Sequence, residues 1–245
     1  MTSGPPLPMR RWLPRPLPDT PTRVFCLPYS GAGASMFARW PDAADGTGLC
    51  PVQLPGRENR LREPHFGTYE QLARDVVGAL LPAMDRPFGL FGHCSSALIV
   101  YEIAVALRRE GLPMPRRLFL SSQVAPHEGP CGSYLTMTDE QLRAELVALS
   151  DSELDDTVLD LVTETLRADV EANKAYRPAA PVLLDTSITT IGWTDDQEVA
   201  PELMSGWDQY AEKVHRVVLP GVHHTFLGAP AALLHQFAEG MAADD

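Results

Sequence analysis

One stretch near the middle of the chain limits its possible folds more than any other. It runs from Pro87 to Leu98 and reads PFGLFGHCSSAL. A short apolar run, a nucleophilic residue between small neighbours and an apolar-periodic segment together predict a strand, a sharp turn and a helix. A turn of this kind, a nucleophile elbow, exposes its central side chain above a sheet and at a helix N-terminus. We therefore predict that Cys94 is a nucleophile.

Two residues at this elbow depart from the common pattern Gly-x-Ser-x-Gly. Cys94 occupies the centre, and Ser96 occupies the second small position. A thiol at a helix N-terminus lies near the positive end of the helix dipole, which favours the reactive thiolate. The alternative is that Cys94 is a small buried apolar residue, as free cysteines usually are. The strand-turn-helix context favours the nucleophile.

Strand and helix patterns alternate along most of the chain. Strands are predicted at 23–27, 48–54, 116–122, 186–191 and 214–219, and helices at about 68–84, from the elbow to Gly111, and at 229–243. Two capping boxes, Thr138 to Gln141 and Ser150 to Glu153, begin a helical run over 138–177. The alternation is typical of a doubly wound parallel sheet, and we expect the helical run to form a lid over the active site.

The first residues of the chain differ in composition from the rest. Residues 1–22 contain seven prolines, so we expect an extended surface arm with no regular helix or central strand. The remainder, 23–245, is predicted to be a single domain, with the lid inserted at about 125–180. A chain of 245 residues is long enough to bury the core of one such domain.

The composition excludes several classes of function. A net charge of −12 argues against nucleic-acid binding, which needs a basic surface. We found neither a membrane-spanning run nor the apolar core of a signal peptide, so we expect a cytoplasmic protein that binds no membrane. The four cysteines lack the spacings of metal sites and disulfide frameworks. We therefore expect no metal.

A loop of small residues, PYSGAGAS, follows the first predicted strand. Gly31 and Gly33 permit positive φ angles that aim backbone N–H groups at one point. The spacing does not match a nucleotide-binding loop. Proteins with a nucleophile elbow place an oxyanion-hole donor in such a loop, so we predict this role for the N–H of Ser30 or Tyr29, paired with the N–H of Ser95. The alternative is a plain turn.

An acid and a histidine follow the nucleophile in the order that an elbow protein requires. The loop after the predicted strand at 186–191 carries two aspartates, and the loop after the last predicted strand carries two histidines. We predict Asp195 in preference to Asp196, and His223 in preference to His224. Histidine would take the proton of Cys94 and return it to the leaving group, and the aspartate would orient the imidazole.

Several motifs in register resemble the type II thioesterases, the stand-alone α/β-hydrolases associated with polyketide and nonribosomal peptide synthases. They are FCLPYSGAG at 25–33, QLPGRE at 53–58, FGHCSSA at 91–97, LRAD at 166–169 and PGVH at 220–223. The resemblance covers essentially residues 23–240. It implies an α/β-hydrolase fold, with a mostly parallel central sheet, helices on both faces and a helical lid insertion.

The resemblance also implies an activity and a set of site residues. Cys94 replaces the usual serine of that family, Asp195 and His223 match its acid and base, and Ser30 and Ser95 match its oxyanion-hole donors. The implied reaction releases acyl groups from the phosphopantetheine arm of acyl or peptidyl carrier proteins, through an S-acyl cysteine. No bound cofactor is implied, and we expect a monomer that meets its carrier transiently.

Carrier proteins are typically acidic, so docking on this acidic chain would need a local basic site. Two groups of arginines are candidates: Arg57, Arg60 and Arg62 in one loop, and Arg108, Arg109, Arg116 and Arg117 at the end of the elbow helix and just beyond it.

Other readings of the residues remain open at this stage. Attack by Cys94 on a thioester gives a second thioester, so the enzyme could instead be an acyltransferase that passes an acyl or aminoacyl group to another acceptor. A cysteine-dependent hydrolase of the dienelactone hydrolase kind shares the elbow, but does not explain the PGRE loop or the helical insertion. A carrier-binding module without catalysis is a further alternative.

Overall fold

A computed structural model of the protein describes residues 7–149 and 155–242. The α-helices are α1 (Leu7–Trp12), α2 (Tyr69–Leu80), α3 (Ser95–Arg109), α4 (Asp139–Leu149), α5 (Asp156–Ala175) and α6 (Ala231–Ala242). The strands are β1 (Thr22–Leu27), β2 (Ala43–Ala44), β3 (Thr47–Pro51), β4 (Phe88–His93), β5 (Arg117–Ser121), β6 (Ser187–Trp193) and β7 (Val214–Leu219). Short 3-10 helices span Ala34–Phe37, Glu58–Arg60, Leu81–Ala83, Pro126–Glu128, Ser133–Thr136, Pro201–Gln209 and His223–Gly228. None of the helices described is both long and apolar enough to cross a membrane.

The strands form one sheet in the order β2-β3-β1-β4-β5-β6-β7. Every neighbouring pair is parallel except β2 and β3, which are antiparallel. The chain therefore has the predicted α/β-hydrolase fold, with a mostly parallel sheet. The two-residue strand β2 was not predicted, because it is too short to produce a periodic pattern.

Alternation along β1 explains why both faces of the sheet are covered. Phe25 and Leu27 face the larger apolar core, which also holds the buried sides of α1, α2 and α3. Val24 and Cys26 face the second core, which contains Phe237 of α6. Successive side chains of a strand point to opposite faces, so a fully apolar strand needs helices on both sides.

The helical insertion between β5 and β6 is present as predicted. Helix α4 begins at the predicted capping box, where Thr138 N–H donates to Gln141 Oε1 at 2.8 Å. The second predicted box, Ser150 to Glu153, lies outside the described residues. Leu142, Leu166 and Val170 pack together as a small apolar cluster between α4 and α5. The two helices thus share an apolar interface of their own.

The prediction that residues 1–22 contain no helix is wrong. Residues Leu7–Trp12 form α1, and Met9, Trp12 and Leu13 are buried in the larger core. The guanidinium of Arg60 lies 4.2 Å from the centre of the Trp12 ring. The prolines do not prevent this helix because the one that it contains, Pro8, lies in the first turn, where a backbone N–H has no partner within the helix.

Candidate active site

The turn between β4 and α3 holds Cys94 in a strained backbone conformation. Cys94 has φ 55° and ψ −132°, outside the regions that residues with a side chain ordinarily adopt. The turn is tight enough that a Cβ on Gly92 would lie 2.4 Å from the carbonyl oxygen of Ser96. Glycine at position 92 therefore allows the strand and the helix to approach closely, and Cys94 stands at the helix N-terminus.

Ser96, which departs from the usual glycine, stabilises the turn through its hydroxyl. Its Oγ accepts the His93 N–H at 2.9 Å and lies 2.9 Å from the His93 carbonyl and 3.2 Å from the Leu27 carbonyl. The side chain is fully buried. The larger residue is accommodated because its hydroxyl bonds backbone groups of the same turn.

The imidazole of His223 lies between a carboxylate and the Cys94 thiol. Its Nδ1 is 3.1 Å and 3.0 Å from the two carboxylate oxygens of Asp196. The Cys94 side chain lines the same cavity as this imidazole and interacts with it strongly enough to raise its pKa. The arrangement allows proton transfer between sulfur and imidazole, with the carboxylate fixing the orientation of the ring.

The carboxylate that orients His223 is Asp196, so the prediction of Asp195 is wrong. Asp196 is 7% exposed and accepts hydrogen bonds from the Ser122 hydroxyl at 2.7 Å and the Glu198 N–H at 2.8 Å. Asp195 is exposed, and its Oδ2 accepts the Thr194 hydroxyl at 2.9 Å. The loop after β6 turns back on the Asp196 side chain, which directs that carboxylate inward and its neighbour outward.

The electrostatics of these groups follow from their contacts. Burial raises the pKa of Asp196, but hydrogen bonds from His223 and Ser122 outweigh this effect and lower the pKa to about 2. Burial alone would lower the pKa of His223, but the hydrogen bonds to Asp196 and Cys94 and the charges of these groups raise it to about 10. The imidazolium is therefore stabilised between two groups that can carry negative charge.

The two residues predicted to donate to an oxyanion lie side by side. The Oγ atoms of Ser30 and Ser95 are 2.7 Å apart. Ser95 is the first residue of α3, where a backbone N–H has no partner within the helix. Tyr29, the other predicted candidate in the loop, packs against His224 with ring centres 5.7 Å apart. The loop after β1 therefore reaches the elbow as expected, and the roles of Ser30 and Ser95 remain predictions.

A buried carboxylate on the lid holds this loop in place. Asp169 of α5 accepts the Gly31 N–H at 2.7 Å, a bidentate pair from Arg57 at 2.8 and 2.9 Å, and has Nε2 of His65 at 2.7 Å. Both side chains of the Arg57–Asp169 pair are at most 5% exposed. Burial raises the pKa of Asp169. The charge of Arg57 outweighs this effect, together with hydrogen bonds from His65, Arg57 and Gly31, and the pKa falls to about 2.

These contacts correct the prediction that Arg57 and Arg60 are docking residues. Arg57 is 3% exposed and Arg60 is 7% exposed. Arg57 binds Asp169, and Arg60 donates to Glu63 and to the Gln53 carbonyl. Their guanidinium groups are already paired, so they hold the loop together. Arg62, the third candidate, is exposed.

A cavity of about 130 Å³ opens beside Cys94 and His223. It lies between the loop after β1, the elbow, the lid and the loops after β6 and β7. The lining residues are Tyr29, Ser30, Cys94, Cys131, Gly132, Ser133, Tyr134, Leu135, Met137, Glu145, Val170, Asn173, Glu198, His223 and His224. Within the two described ranges, no group of three or more His, Cys, Asp or Glu side chains is placed to hold a metal ion.

Sequence reasoning missed the parts played by Asp196, Ser122 and Asp169. Asp196 was recognised only as the second of two neighbouring aspartates, and Ser122 carried no motif. Asp169 stood in the LRAD motif, without a contact assigned to it. An aspartate between Leu166 and Val170, two apolar residues at helical spacing, was the available signal, because buried carboxylates need a partner.

Comparisons with known proteins agree with this fold. Residues 22–239 match the family model of the thioesterase domain. The gramicidin S biosynthesis protein GrsT of Aneurinibacillus migulanus is 31% identical over 219 residues, which cover 84% of this chain and 82% of GrsT.

Two solved structures are similar over nearly the whole chain. RedJ, a thioesterase from the prodiginine biosynthetic pathway in Streptomyces coelicolor, is 34% identical with a TM-score of 0.79, covering 94% of this chain and 98% of RedJ. BorB, a type II thioesterase from the borrelidin biosynthetic cluster, is 26% identical with a TM-score of 0.78, covering 94% of this chain and 97% of BorB.

Proposed function

The chain belongs to the thioesterase family, and from this we propose that it releases acyl groups from the phosphopantetheine arm of carrier proteins through an S-acyl intermediate on Cys94. The observation that carries the proposal is that Cys94, at the N-terminus of α3, shares a cavity lining with His223, whose Nδ1 is 3.0 Å from Asp196. A thiol at the elbow, an imidazole and a carboxylate in this order provide nucleophile, base and orienting group.

The first half of the reaction transfers the acyl group to sulfur. The Cys94 sulfur attacks the thioester carbonyl while the imidazole of His223 holds the thiol proton. The N–H groups of Ser30 and Ser95 stabilise the negative charge that develops on the carbonyl oxygen. The carbon–sulfur bond to the phosphopantetheine arm then breaks, and His223 gives its proton to the departing thiolate.

The second half of the reaction restores the free thiol. His223 takes a proton from water, the resulting hydroxide attacks the S-acyl carbonyl, and the Cys94 thiolate leaves and recovers the proton. The products are the free acid and the unloaded carrier. If a carrier thiol replaced water, the same steps would transfer the acyl group to that carrier. The proposed reaction is hydrolysis, which is the activity of the family, and transfer is an outcome that the experiment below distinguishes.

The relatives support a carrier protein as the partner. GrsT, RedJ and BorB are named for biosynthesis of gramicidin S, prodiginine and borrelidin. Because the motifs resemble those of type II thioesterases, the expected partner is a carrier protein of a polyketide or nonribosomal peptide synthase. The exposed Arg62, together with exposed Arg108 and Arg109 at the end of α3, supplies positive charge for an acidic carrier.

Intact-mass spectrometry with an acyl-loaded carrier protein tests the proposal. We expect a transient acyl adduct on the enzyme, free acid as the product and no adduct on the Cys94→Ala variant. A second, unloaded carrier is added in a parallel reaction. An adduct that decays only when this carrier is present, with the acyl group appearing on it, would make the enzyme a transferase. Absence of both adduct and free acid would overturn the proposal.

A further inference from the structure

The cavity beside Cys94 has both apolar and acidic side chains in its lining. Leu135, Met137 and Val170 from the lid region form its apolar part. Glu145 of α4 and Glu198 of the loop after β6 place two carboxylates in the same lining. No lysine or arginine lines it among the residues that the structure describes. An acyl chain made only of hydrocarbon would leave both carboxylates without a counter-charge.

The two carboxylates are held differently. Glu198 Oε2 accepts the Ser133 N–H at 2.7 Å, so its side chain is fixed against the cavity wall. Glu145 forms no ion pair with any residue of the described ranges, and it is partly buried. Partly buried carboxylates in a ligand cavity are stabilised by a cation that enters it.

Other titratable groups around the cavity do not neutralise this charge. Burial, together with the charge of His223, lowers the pKa of His224 to about 4, so this imidazole is neutral near neutral pH. His223 can carry a positive charge, but it is already engaged by Asp196 and Cys94. Burial raises the pKa of the Tyr134 phenol, and the negative charges of Glu145 and Glu198 raise it further. The Tyr134 phenol is therefore in a negative potential to which both glutamates contribute.

A second observation, independent of the carboxylates, indicates a polar ligand. Asn173 of α5 lines the cavity and is 5% exposed. Its Oδ1 is buried and accepts no hydrogen bond within the described part of the chain. A buried amide oxygen without a donor is costly, and a ligand that brings an N–H group would satisfy it. The rings of Tyr29 and Tyr134 also line the cavity and can contact a cation.

We infer that the cavity selects an acyl group that carries an ammonium group, so that the substrate is an aminoacyl thioester. Glu198 and Glu145 face the ammonium, the Asn173 carbonyl accepts one of its protons, and the apolar lid residues contact the side chain. The volume of about 130 Å³ suits one amino acid better than a long chain, since cavities for drug-sized ligands are about 300–1,000 Å³. The inference rests on the proposed thioesterase function.

Matched pairs of small thioesters test the inference without a carrier protein. Alanyl, valyl and leucyl thioesters of N-acetylcysteamine are compared with their partners that lack the amine, the propanoyl, 3-methylbutanoyl and 4-methylpentanoyl thioesters. Each kcat/KM is divided by the uncatalysed hydrolysis rate, because an α-ammonium group itself activates a thioester. We expect the corrected ratio, aminoacyl over partner, to exceed about tenfold, as a charge-assisted hydrogen bond would give.

Charge-removing variants assign the preference to the carboxylates. Glu198→Gln keeps an acceptor for the Ser133 N–H but removes the charge, and Glu145→Gln does the same on α4. We expect each to lower the corrected ratio, and the double variant to lower it about tenfold or more. Glu140→Gln, on the exposed face of α4 and outside the cavity, is the control and leaves the ratio unchanged. A ratio near one in the unmodified enzyme, or an equal ratio in all variants, would overturn the inference.

A binding measurement separates this inference from the proposed function. Titration calorimetry with Cys94→Ala uses a non-hydrolysable ketone analogue of the leucyl thioester and its partner without the amine. If no thioester is turned over but the amine-bearing analogue binds more tightly, the reaction is wrong and the ammonium site stands. If thioesters are hydrolysed without any preference for the amine, the reaction stands and the ammonium site is wrong. Equal binding of both analogues together with equal turnover excludes the ammonium site.

Discussion

Asp196 orients the imidazole of His223, whereas the adjacent Asp195 does not. We expect Asp196→Asn to lower kcat/KM by roughly 10²–10⁴, because an amide can no longer hold the required tautomer of His223. Asp195→Asn is the matched control, since that carboxylate is exposed and bonds only locally. Steady-state measurement of kcat/KM with one thioester substrate compares the two variants. A larger loss in Asp195→Asn than in Asp196→Asn would contradict the assignment.

The charge state of His223 depends on the two groups beside it. Its pKa is raised from 6.5 to about 10, so the imidazolium stabilises the fold fully below about pH 6.5 and loses this effect as the pH rises through 10. Cys94→Ala removes the side chain whose interaction helps to raise this pKa. We expect the pKa of His223 in that variant to fall toward its ordinary value, as followed by NMR titration of the ring. An unchanged midpoint would mean that sulfur and imidazole do not interact.

The loop after β1 and the lid helix α5 are connected by the carboxylate of Asp169. We expect Asp169→Asn to destabilise the protein by about 3–5 kcal/mol, because it leaves the buried charge of Arg57 without its partner. The same change weakens the contact with the Gly31 N–H and should lower kcat, since Ser30 is the adjacent residue. Asp160→Asn, also on α5 but in an exposed pair with Arg143, is the control and has a much smaller effect.

Acid should remove the contribution of Asp169 with a defined sign. Its pKa is lowered from 3.8 to about 2, so its stabilising effect is fully present above about pH 3.8 and is lost as the pH falls through 2. The difference in free energy of unfolding between the wild-type protein and Asp169→Asn should therefore narrow below pH 3.8. Urea unfolding at several pH values measures this difference. If the difference in free energy of unfolding became larger in acid, the ion-pair explanation would be contradicted.

At the scale of the whole molecule, the N-terminal segment belongs to the packed domain. Trp12 is 8% exposed and lies between the larger core and the guanidinium of Arg60. We expect Trp12→Ala to lower the free energy of unfolding by about 3–5 kcal/mol, as for other buried aromatic side chains. Leu203→Ala, at a residue 51% exposed, should change it by no more than about 0.5 kcal/mol. Equal effects of the two substitutions would show that α1 is not part of the cooperative unit.

Apart from α1 and β2, the sequence by itself determined the order of the main strands and α-helices, the elbow and the position of the helical insertion. These features depend on local patterns, since a period of two or 3.6 residues and a capping box are read from neighbouring positions. Cys94 could also be identified from a local pattern, because the sharp turn requires small residues around its central side chain. The two loops that carry the aspartates and histidines could also be located from the strands that precede them.

Only the tertiary structure decided which of two adjacent side chains faces the site and which charges are already paired. Asp195 and Asp196 differ by one position, and the hydrogen bonds of Ser122 and Glu198 turn the second one inward. Arg57 resembled a surface charge until its partner, 112 residues away in the chain, was located. The burial of α1 likewise depends on a surface that α2 and the loop after β3 form together. Such contacts join distant parts of the chain, and no local pattern encodes them.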